Sequence, residues 1–405
     1  MSMNYKGIIL TGTSGCGKTT IAKKLCELSS DFEKCKLITT RVPRMGEVDE
    51  YQFMSVDDFL KKRSENLLFT DTMYRDDHFG ILKETIREII EVRRKIPILT
   101  VSPEFQKVLS ENVQQKNFDF LSFFIDAQDS KLDDRLIQQD GSLERNGTNP
   151  PSYLVQRARD REFSQCTTYS FTNNDDIDDI VQLIFELWQY RYSGGLLSKK
   201  IISLMINCGS LLSDASVDRI QGASYDLVLG EQFAQNGIIE LLSDTRPYIV
   251  LKPGDYAIVT SKEIANLPKD IAARYDLTVG LFTQGIILSN GPQVDPGFKG
   301  SLFCLLFNAS NKEISLRMGD HFVTIEFAKL LEPTIPYSGQ HQNQERIRQY
   351  IPQNPGFGEI VKMRGEINKL NDFNLKYSKA PMIISTVSLL VMIIIAAVQL
   401  WPKSG

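Results

Sequence analysis

The chain has 405 residues, of which 42% are hydrophobic and 24% charged, a composition typical of a globular protein with two or three domains. Its net charge is −4, so the chain lacks the overall positive charge that would attract a nucleic-acid polymer, and we expect no such partner. Six cysteines without a CxxC pair and only three histidines predict unpaired thiols and argue against a histidine-rich metal site.

An apolar run, a glycine-rich turn and a helical pattern follow one another in IILTGTSGCGKTTIAKKL, residues 8–25. The turn matches G-x-x-x-x-G-K-[ST], in which backbone N–H groups surround phosphate oxygens, the lysine contacts the terminal phosphates and the threonine hydroxyl binds Mg²⁺. The helix that follows presents its positive end to the anion. We therefore predict a nucleoside triphosphate site. Its candidate residues are Gly12, Ser14, Gly15, Gly17, Lys18, Thr19 (also the Mg²⁺ ligand) and Thr20.

Residues 1–192 alternate short apolar runs, such as KIPILTVS and FLSFFID, with helical stretches such as GILKETIREIIEVRRK. This alternation predicts an α/β domain, a parallel sheet with helices on both faces. The stretch YSGGLLSKK breaks the pattern, and we place the first domain boundary there.

Two arginines and a tyrosine follow the first strand–helix unit, in ITTRVPRMGEVDEYQF. Arg41, Arg44 and Tyr51 offer the bidentate and directional donors that a phosphate monoester requires. The string resembles the monophosphate-binding segment of guanylate kinases. That segment reads T-T-R-x-P-R-x-G-E and is followed by an acidic residue and then by Y-x-F.

Further matches to the guanylate kinases follow in order: HFG, LDDRL with Arg135, and RARDRE, so that the resemblance covers nearly all of residues 5–190. It implies phosphoryl transfer from ATP, with Mg²⁺, to a nucleoside monophosphate. The residues that would neutralise the transferring group are Lys18, Arg41, Arg135, and Arg157 or Arg161.

The base end of the site departs from that family. Thr70, with Asp71 adjacent, and Thr100 and Ser102 stand where guanylate kinases read guanine with carboxylates, and Phe79 replaces a tyrosine. A hydroxyl cannot accept the pair of N–H bonds that a carboxylate takes from guanine. Two interpretations stay open: the acceptor is another monophosphate or phosphorylated metabolite, or the domain binds nucleotide without turnover.

Short β-rich runs between Gly, Pro and Asp turns fill residues 196–336 and predict an all-β barrel or sandwich. ASYDLVLG, VLKPGDYAIVTSKEIANLP and QVDPGFKG resemble the dCTP deaminase/dUTPase family. Members of that family are jelly-roll-like barrels that form trimers, so the resemblance implies a homotrimer.

The family's catalytic positions differ in this chain. Leu305 stands at the general-base glutamate of the deaminases, and leucine cannot move a proton. Asp295 matches the aspartate with which dUTPases activate water, although an Asp-Pro-Gly turn needs an aspartate for its own hydrogen bonds. The phosphate-binding arginine and serines, aligned on Gly285, have become Thr278, Val279, Gly280 and Thr283. We expect an inactive, trimerising barrel.

The C-terminal stretch PMIISTVSLLVMIIIAAVQLW carries no charge and has the length that spans a bilayer as a helix. Lys379 and Lys403 flank it, and Trp401 suits the interface. We predict a stalk or linker over 337–379 and one transmembrane helix over 380–402, with the N-terminal body in the cytoplasm; a buried core helix is the alternative.

The whole chain is therefore expected to be a membrane-anchored, ATP-dependent nucleoside monophosphate or phosphometabolite kinase with altered base specificity. The alternatives are a non-catalytic nucleotide-binding sensor or regulatory assembly at the membrane, and an active dCTP deaminase or dUTPase.

Overall fold

The computed structural model of the chain describes most of the first 344 residues and short stretches beyond them. The described ranges are 5–43, 51–74, 76–113, 118–140, 150–173, 176–235, 237–288, 293–344, 347, 363, 366–367, 369–373 and 389–393.

Strands and helices alternate through the first domain. In chain order they are β1 (Tyr5–Gly12), α1 (Lys18–Leu28), β2 (Phe32–Lys34), β3 (Leu37–Thr39), β4 (Tyr51–Phe53), α2 (Val56–Ser64), β5 (Leu68–Tyr74), β6 (Asp77–Leu82), α3 (Lys83–Arg87) with a π-helical turn (Glu88–Val92), β7 (Ile96–Thr100), α4 (Pro103–Val113), β8 (Phe118–Asp126), α5 (Asp129–Asp140), α6 (Pro150–Glu162) with a 3-10 turn (Phe163–Cys166), β9 (Tyr169–Thr172) and α7 (Ile177–Gln189). Strands β2-β7-β1-β8-β9 form a parallel sheet, and β4-β3-β6-β5 form a separate one. The predicted α/β class is confirmed.

Strand β1 is buried on both faces, as expected for a central parallel strand, with Ile8, Ile9 and Leu10 at most 2% exposed. Helix α1 covers one face of the sheet through Ile21, Ala22 and Leu25, which lie on one side of the helix.

The second domain is built mainly from antiparallel strands. Its elements are β10 (Gly195–Leu196), α8 (Lys199–Asn207), β11 (Leu211–Ser213), a 3-10 turn (Val217–Arg219), β12 (Ser224–Gln235), β13 (Ile238–Leu241), β14 (Tyr248–Leu251), β15 (Tyr256–Asn266), β16 (Ile271–Leu277), α9 (Val279–Thr283), β17 (Ile286–Leu288), β18 (Gln293–Val294), β19 (Lys299–Asn308), β20 (Ile314–Arg317) and β21 (His321–Lys329). Strands β17-β19-β15-β12-β21-β16-β18 form its main path, and β14 pairs with β20. An all-β second domain was predicted, and this is confirmed.

A buried ionic network joins β12 to β15. Glu263 is fully buried and accepts hydrogen bonds from the Arg219 guanidinium at 2.9 Å, the Tyr225 hydroxyl at 3.0 Å and the Val228 N–H at 3.1 Å. Burial raises the pKa of the Tyr225 phenol, which therefore stays a donor. The tyrosine of ASYDLVLG and the glutamate of VTSKE thus serve the fold.

The two domains share one continuous apolar core. Ile184 of α7 in the first domain and Met205 of α8 in the second both belong to it, and the two helices contact each other. Polar bonds also cross the junction: the Thr172 N–H donates to the Cys208 carbonyl at 2.8 Å, and the buried Tyr169 hydroxyl donates to the Asp270 carboxylate. Burial raises the pKa of Asp270. The first domain therefore packs tightly against the second.

After β21 the chain returns alongside β19. The Asn343 N–H donates to the Lys299 carbonyl at 2.7 Å, and the Ser301 N–H donates to the Gln344 carbonyl at 2.8 Å. We call residues 336–344 the C-terminal strap. Further along the chain, Ile347 is fully buried next to Leu305.

Within the described ranges, no helix is both long and apolar enough to cross a membrane. The prediction of a span at 380–402 falls largely outside them, since only 389–393 are described there. The stalk predicted for 337–379 is wrong at its start, because the chain from Tyr337 to Gln344 is bonded to the second domain, and it lies mostly outside the described residues after that. All six cysteines are free thiols, as their spacing predicted.

Candidate functional site

Three parallel strands end at one edge of the first sheet and position the candidate site. In the sheet register Gly12 of β1 pairs with Ile125 of β8, and Asp126 pairs with Thr172 of β9. The residues that directly follow these strands therefore meet at the carboxyl edge, where open α/β sheets bind ligands.

The loop between β1 and α1, residues 12–17, depends on its glycines. Gly12 has a φ of 140°, and a Cβ there would lie 1.8 Å from the Ile125 carbonyl oxygen. Gly17 has a φ of 97°, and its Cβ would meet the Asn173 amide at 2.8 Å. A side chain at Gly12 would collide with the backbone of β8, and one at Gly17 would collide with a buried amide, so glycine sets the shape of the loop.

Lys18 folds back over this loop. Its ammonium donates hydrogen bonds to the carbonyl oxygens of Gly12 at 2.9 Å and Thr13 at 2.8 Å. Thr19 and Thr20 lie in the first turn of α1, and Ser14 and Gly15 form the rim of the loop. These residues fit a triphosphate with Mg²⁺, because N–H groups, an ammonium and the Thr19 hydroxyl gather at one helix N-terminus.

Asp126 lies beside the loop, and sequence reasoning missed it. Its carboxylate accepts from the Thr13 hydroxyl at 2.9 Å and from Nε of Arg161 at 2.7 Å. The acidic residue directly after the buried strand FLSFFI was the signal that could have revealed it. Asp126 connects the phosphate loop to helix α6.

Asn173 is a second residue that the motifs did not reveal. It is buried, its backbone N–H donates to the Asp126 carbonyl at 2.8 Å, and its side-chain amide donates to the Cys16 carbonyl at 2.7 Å. Asn173 therefore holds the loop against the end of β9.

The two candidate arginines of α6 occupy different surroundings. Arg161 contacts Asp126 and Asp129, and its hydrogen bonds to Asp129 lower the pKa of that carboxyl. The side chain of Arg157 is only 4% exposed, pairs with Asp133 at 2.7 Å and lies 3.6 Å from Asp129. Arg161 is linked to the loop because Asp126 accepts from both Arg161 and Thr13. Arg135 lies half-buried on α5.

The candidate monophosphate residues are partly described. The Arg41 guanidinium lies 5.5 Å from the centre of the Tyr51 ring, and that ring contacts Phe79 edge-on at 6.2 Å. Arg44 lies outside the described residues. Arg41 and Tyr51 are therefore neighbours beside an aromatic cluster.

In the second domain, apolar side chains occupy positions that were aligned with the phosphate-binding and general-base residues of the dCTP deaminase/dUTPase family. Val279 and Phe282 of the short helix α9 are 75% and 67% exposed, and the Thr283 hydroxyl is bonded to the Val279 carbonyl at 2.9 Å. Leu305 packs with Ile347 and Phe303.

A family model for dCTP deaminase-like proteins matches residues 196–330, and one for guanylate kinase matches residues 4–189. The dCTP deaminase of Pyrococcus horikoshii is 34% identical over 139 residues, which are 34% of this chain and 87% of that protein. The chain belongs to the dCTP deaminase-like family. It carries this domain behind a guanylate kinase domain.

Relatives of the first domain are more distant. The guanylate kinase of Clostridium perfringens is 27% identical over 183 residues, which are 44% of this chain and 79% of that protein. A crystal structure of guanylate kinase from Anaplasma phagocytophilum covers 47% of this chain and 86% of its own, with 18% identity and a TM-score of 0.35.

At the base end of the guanylate kinase domain, the polar residues have other partners. Asp71 pairs with Arg63 at 3.0 Å, and Thr70 is buried. The Ser102 hydroxyl accepts from the Phe105 N–H at 3.2 Å at the start of α4, and Thr100 ends β7 half-buried. None of these four positions offers an unpaired carboxylate to a base.

Asp295 in the dCTP deaminase-like domain lies in an exposed turn. Its carboxylate accepts from the Gln293 amide at 3.2 Å, and its carbonyl accepts from the Phe298 N–H at 3.2 Å. The carbonyl bond belongs to the turn, whereas the carboxylate is bonded to a side chain and not to the backbone of the turn.

Proposed function

We propose that the guanylate kinase domain binds ATP with Mg²⁺ and transfers a phosphoryl group to a nucleoside monophosphate, or a related phosphometabolite, other than GMP. One observation carries this proposal: Lys18, Thr13, Asp126 and Arg161 form a continuous polar chain beside a glycine-dependent loop. Cations around a preformed loop are what phosphoryl transfer requires, because its catalysis is mostly positioning and charge neutralisation.

The chain's own residues have distinct tasks in this proposal. When ATP binds, the Lys18 ammonium gives up its hydrogen bonds to the carbonyls of Gly12 and Thr13 and donates to phosphate oxygens instead. Arg161, held by Asp126, faces the transferring group, and Asp126 acts as its positioning residue. Mg²⁺, when bound to the Thr19 hydroxyl and the phosphates, neutralises negative charge there. Arg135 is proposed to assist, as the resemblance implies.

The acceptor is proposed to bind by its phosphate on Arg41, Arg44 and Tyr51. Its base is proposed not to be guanine, because Asp71 is engaged by Arg63 and Ser102 by the helix that it caps. A site without free carboxylates discriminates poorly in favour of guanine's N–H donors.

The second domain, residues 196–336, is proposed to be a trimerising barrel without deaminase or dUTPase activity. Leu305 in an apolar cluster and the exposed Val279 support this, since neither offers a proton or a charge to a triphosphate. We further propose that the residues beyond Ile347, as far as 379, form a stalk, because the chain up to Gln344 is bonded to the second domain. Residues 380–402 are proposed to anchor the assembly in a membrane, with domain 1–192 in the cytoplasm.

The kinase proposal is tested by ADP release from the full chain with ATP, Mg²⁺ and a panel of nucleoside monophosphates. We expect one acceptor other than GMP to stimulate release, and Lys18→Ala to abolish that stimulation. Lys24→Ala is the matched control on the same helix, because Lys24 is partly exposed and pairs with Asp178, whose side chain is 74% exposed. Equal stimulation in wild type and Lys18→Ala would contradict the proposal.

A second candidate is a nucleotide-binding module without turnover, and the engaged residues at the base end favour it. Firm ATP binding that depends on Lys18, with no acceptor stimulating ADP release, would select this function. Ammonia release from dCTP or pyrophosphate release from dUTP would instead reveal an active barrel.

A further inference from the structure

A cavity of about 310 Å³ lies between the two domains, away from the phosphate loop. Residues 164–170 of the first domain form one wall, and the β15–β16 connection, residues 266–269, forms another. The C-terminal strap closes a third side, together with the start of β19. Domain interfaces are common positions for ligand sites, and this volume is at the lower end of their usual range of about 300–1,000 Å³.

The walls of the cavity are fixed in the protein without any ligand. Behind it, Tyr169 is bonded to Asp270, and the Lys329 ammonium donates to the Arg191 carbonyl at 3.1 Å. On the strap side, Gln342 accepts from the Lys299 N–H at 3.0 Å and donates to the Gly297 carbonyl at 3.0 Å. A ligand would therefore enter a preformed site and meet little cost of ordering.

The lining carries positive charge only. Lys269 and Lys299 line the cavity, whereas no Asp or Glu is found among the described residues of its walls. The remaining lining is dominated by hydroxyl and amide side chains, with Tyr337 as an aromatic surface. The nearby carboxylate of Asp270 is buried and already contacts Tyr169 and Lys329.

Both lysines are held in a partly dehydrated environment. Burial lowers the pKa of Lys269 and of Lys299, although Lys299 as a whole residue stays exposed and Lys269 is half-buried. Lys269 donates to the Gln165 carbonyl, and the Lys299 ammonium has no acceptor among the described residues. Cations whose water has been partly removed bind an anion more strongly than the same cations in open solvent.

We propose that this interdomain cavity binds a small phosphorylated metabolite, with its phosphate between Lys269 and Lys299. Two ammonium groups match a dianionic phosphate, and lysine binds phosphate as a point charge that needs no planar geometry. The hydroxyl and amide groups of the walls suit the polar remainder of such a molecule. This site is independent of the proposed kinase activity, since it shares no residue with the phosphate loop.

The test is residue-resolved acetylation of lysines in the full chain, read by mass spectrometry. The probes are inorganic phosphate, pyrophosphate, deoxynucleoside monophosphates and, as a carboxylate anion, citrate. With a probe at about ten times its dissociation constant, acetylation of Lys269 and Lys299 should slow about tenfold by mass action. Lys312 is the control, because it is exposed and lies beyond the other end of β19, roughly 30 Å away.

A phosphorylated probe should still slow the acetylation of Lys269 and Lys299 in Lys18→Ala, where the phosphate loop is impaired. In Lys299→Gln, the same probe should no longer slow the acetylation of Lys269. Lys312→Gln should leave the slowing by the probe unchanged. The proposal is overturned if no probe protects the two lysines, if Lys312 is protected equally, or if citrate protects as well as the phosphorylated probes. Acetylation does not depend on ADP release. The cavity proposal can therefore be supported when the kinase proposal is contradicted, and it can be contradicted when the kinase proposal is supported.

Discussion

The loop between β1 and α1 in the first domain and the α9–β19 region in the second differ in the kind of side chain that surrounds them. Around the loop, Lys18, Asp126 and Asn173 place charged and polar groups at the edge of a sheet. At the corresponding region of the barrel, Val279 is exposed and Leu305 lies in an apolar cluster. Charged and polar groups therefore surround the first region, whereas apolar side chains occupy the second.

The motifs of the barrel illustrate this difference. ASYDLVLG and VTSKE resemble their family closely, yet their tyrosine and glutamate are tied to each other and to Arg219 inside the domain. A close match to a family motif can therefore reflect residues that the fold requires, rather than residues that act on a substrate.

The largest effect is expected from Glu263→Ala in the barrel. Removing one partner of a buried, hydrogen-bonded ion pair should lower the free energy of unfolding by about 3–5 kcal/mol. Glu240→Ala is the matched control, because its pair with Arg246 is partly exposed, at 30% and 64%, and surface pairs contribute about 0–1 kcal/mol. Denaturant unfolding of the full chain measures both. Equal losses would show that the network is not what stabilises the barrel.

A smaller effect is expected from Arg161→Ala in the first domain. If Arg161 contacts the phosphates, its loss should weaken ATP binding or turnover by about 1.5–3 kcal/mol, roughly 10- to 150-fold. Arg157→Ala should instead reduce stability and leave ATP affinity nearly unchanged, since Arg157 is buried against Asp133. Calorimetric titration with ATP separates the two, and the reverse pattern would assign the phosphate role to Arg157.

Asn173→Ala tests whether the end of β9 supports the loop. Loss of the bond to the Cys16 carbonyl should reduce ATP affinity by about 1 kcal/mol, roughly fivefold. Asn207→Ala is the control, because its amide bonds to Asp179 in an exposed position. An unchanged affinity in Asn173→Ala would show that the glycines alone shape the loop.

Local patterns predicted the two fold classes and the candidate loop, because glycine spacing and strand periodicity are properties of neighbouring residues. They could not predict Asp126 beside Thr13 or Tyr169 bonded to Asp270, since these partners are 113 and 101 positions apart. Such contacts depend on strand order and on how the domains pack, which no short motif records. The interdomain cavity escaped prediction for the same reason.

The smallest expected effect concerns pH and the acidic partner of Arg161. Hydrogen bonds from Arg161 lower the pKa of Asp129 below its ordinary value of 3.8. A carboxyl whose pKa is lowered by folding stabilises the protein above that ordinary value and loses this contribution as the pH falls through the folded-state pKa. Asp129→Asn should thus cost less than about 1 kcal/mol at pH 7, as for other largely exposed pairs, and nothing at the lowest pH. Unfolding of both proteins from pH 7 to below pH 3 measures the difference, and a constant gap across that range would show that Asp129 contributes through packing and not through its charge.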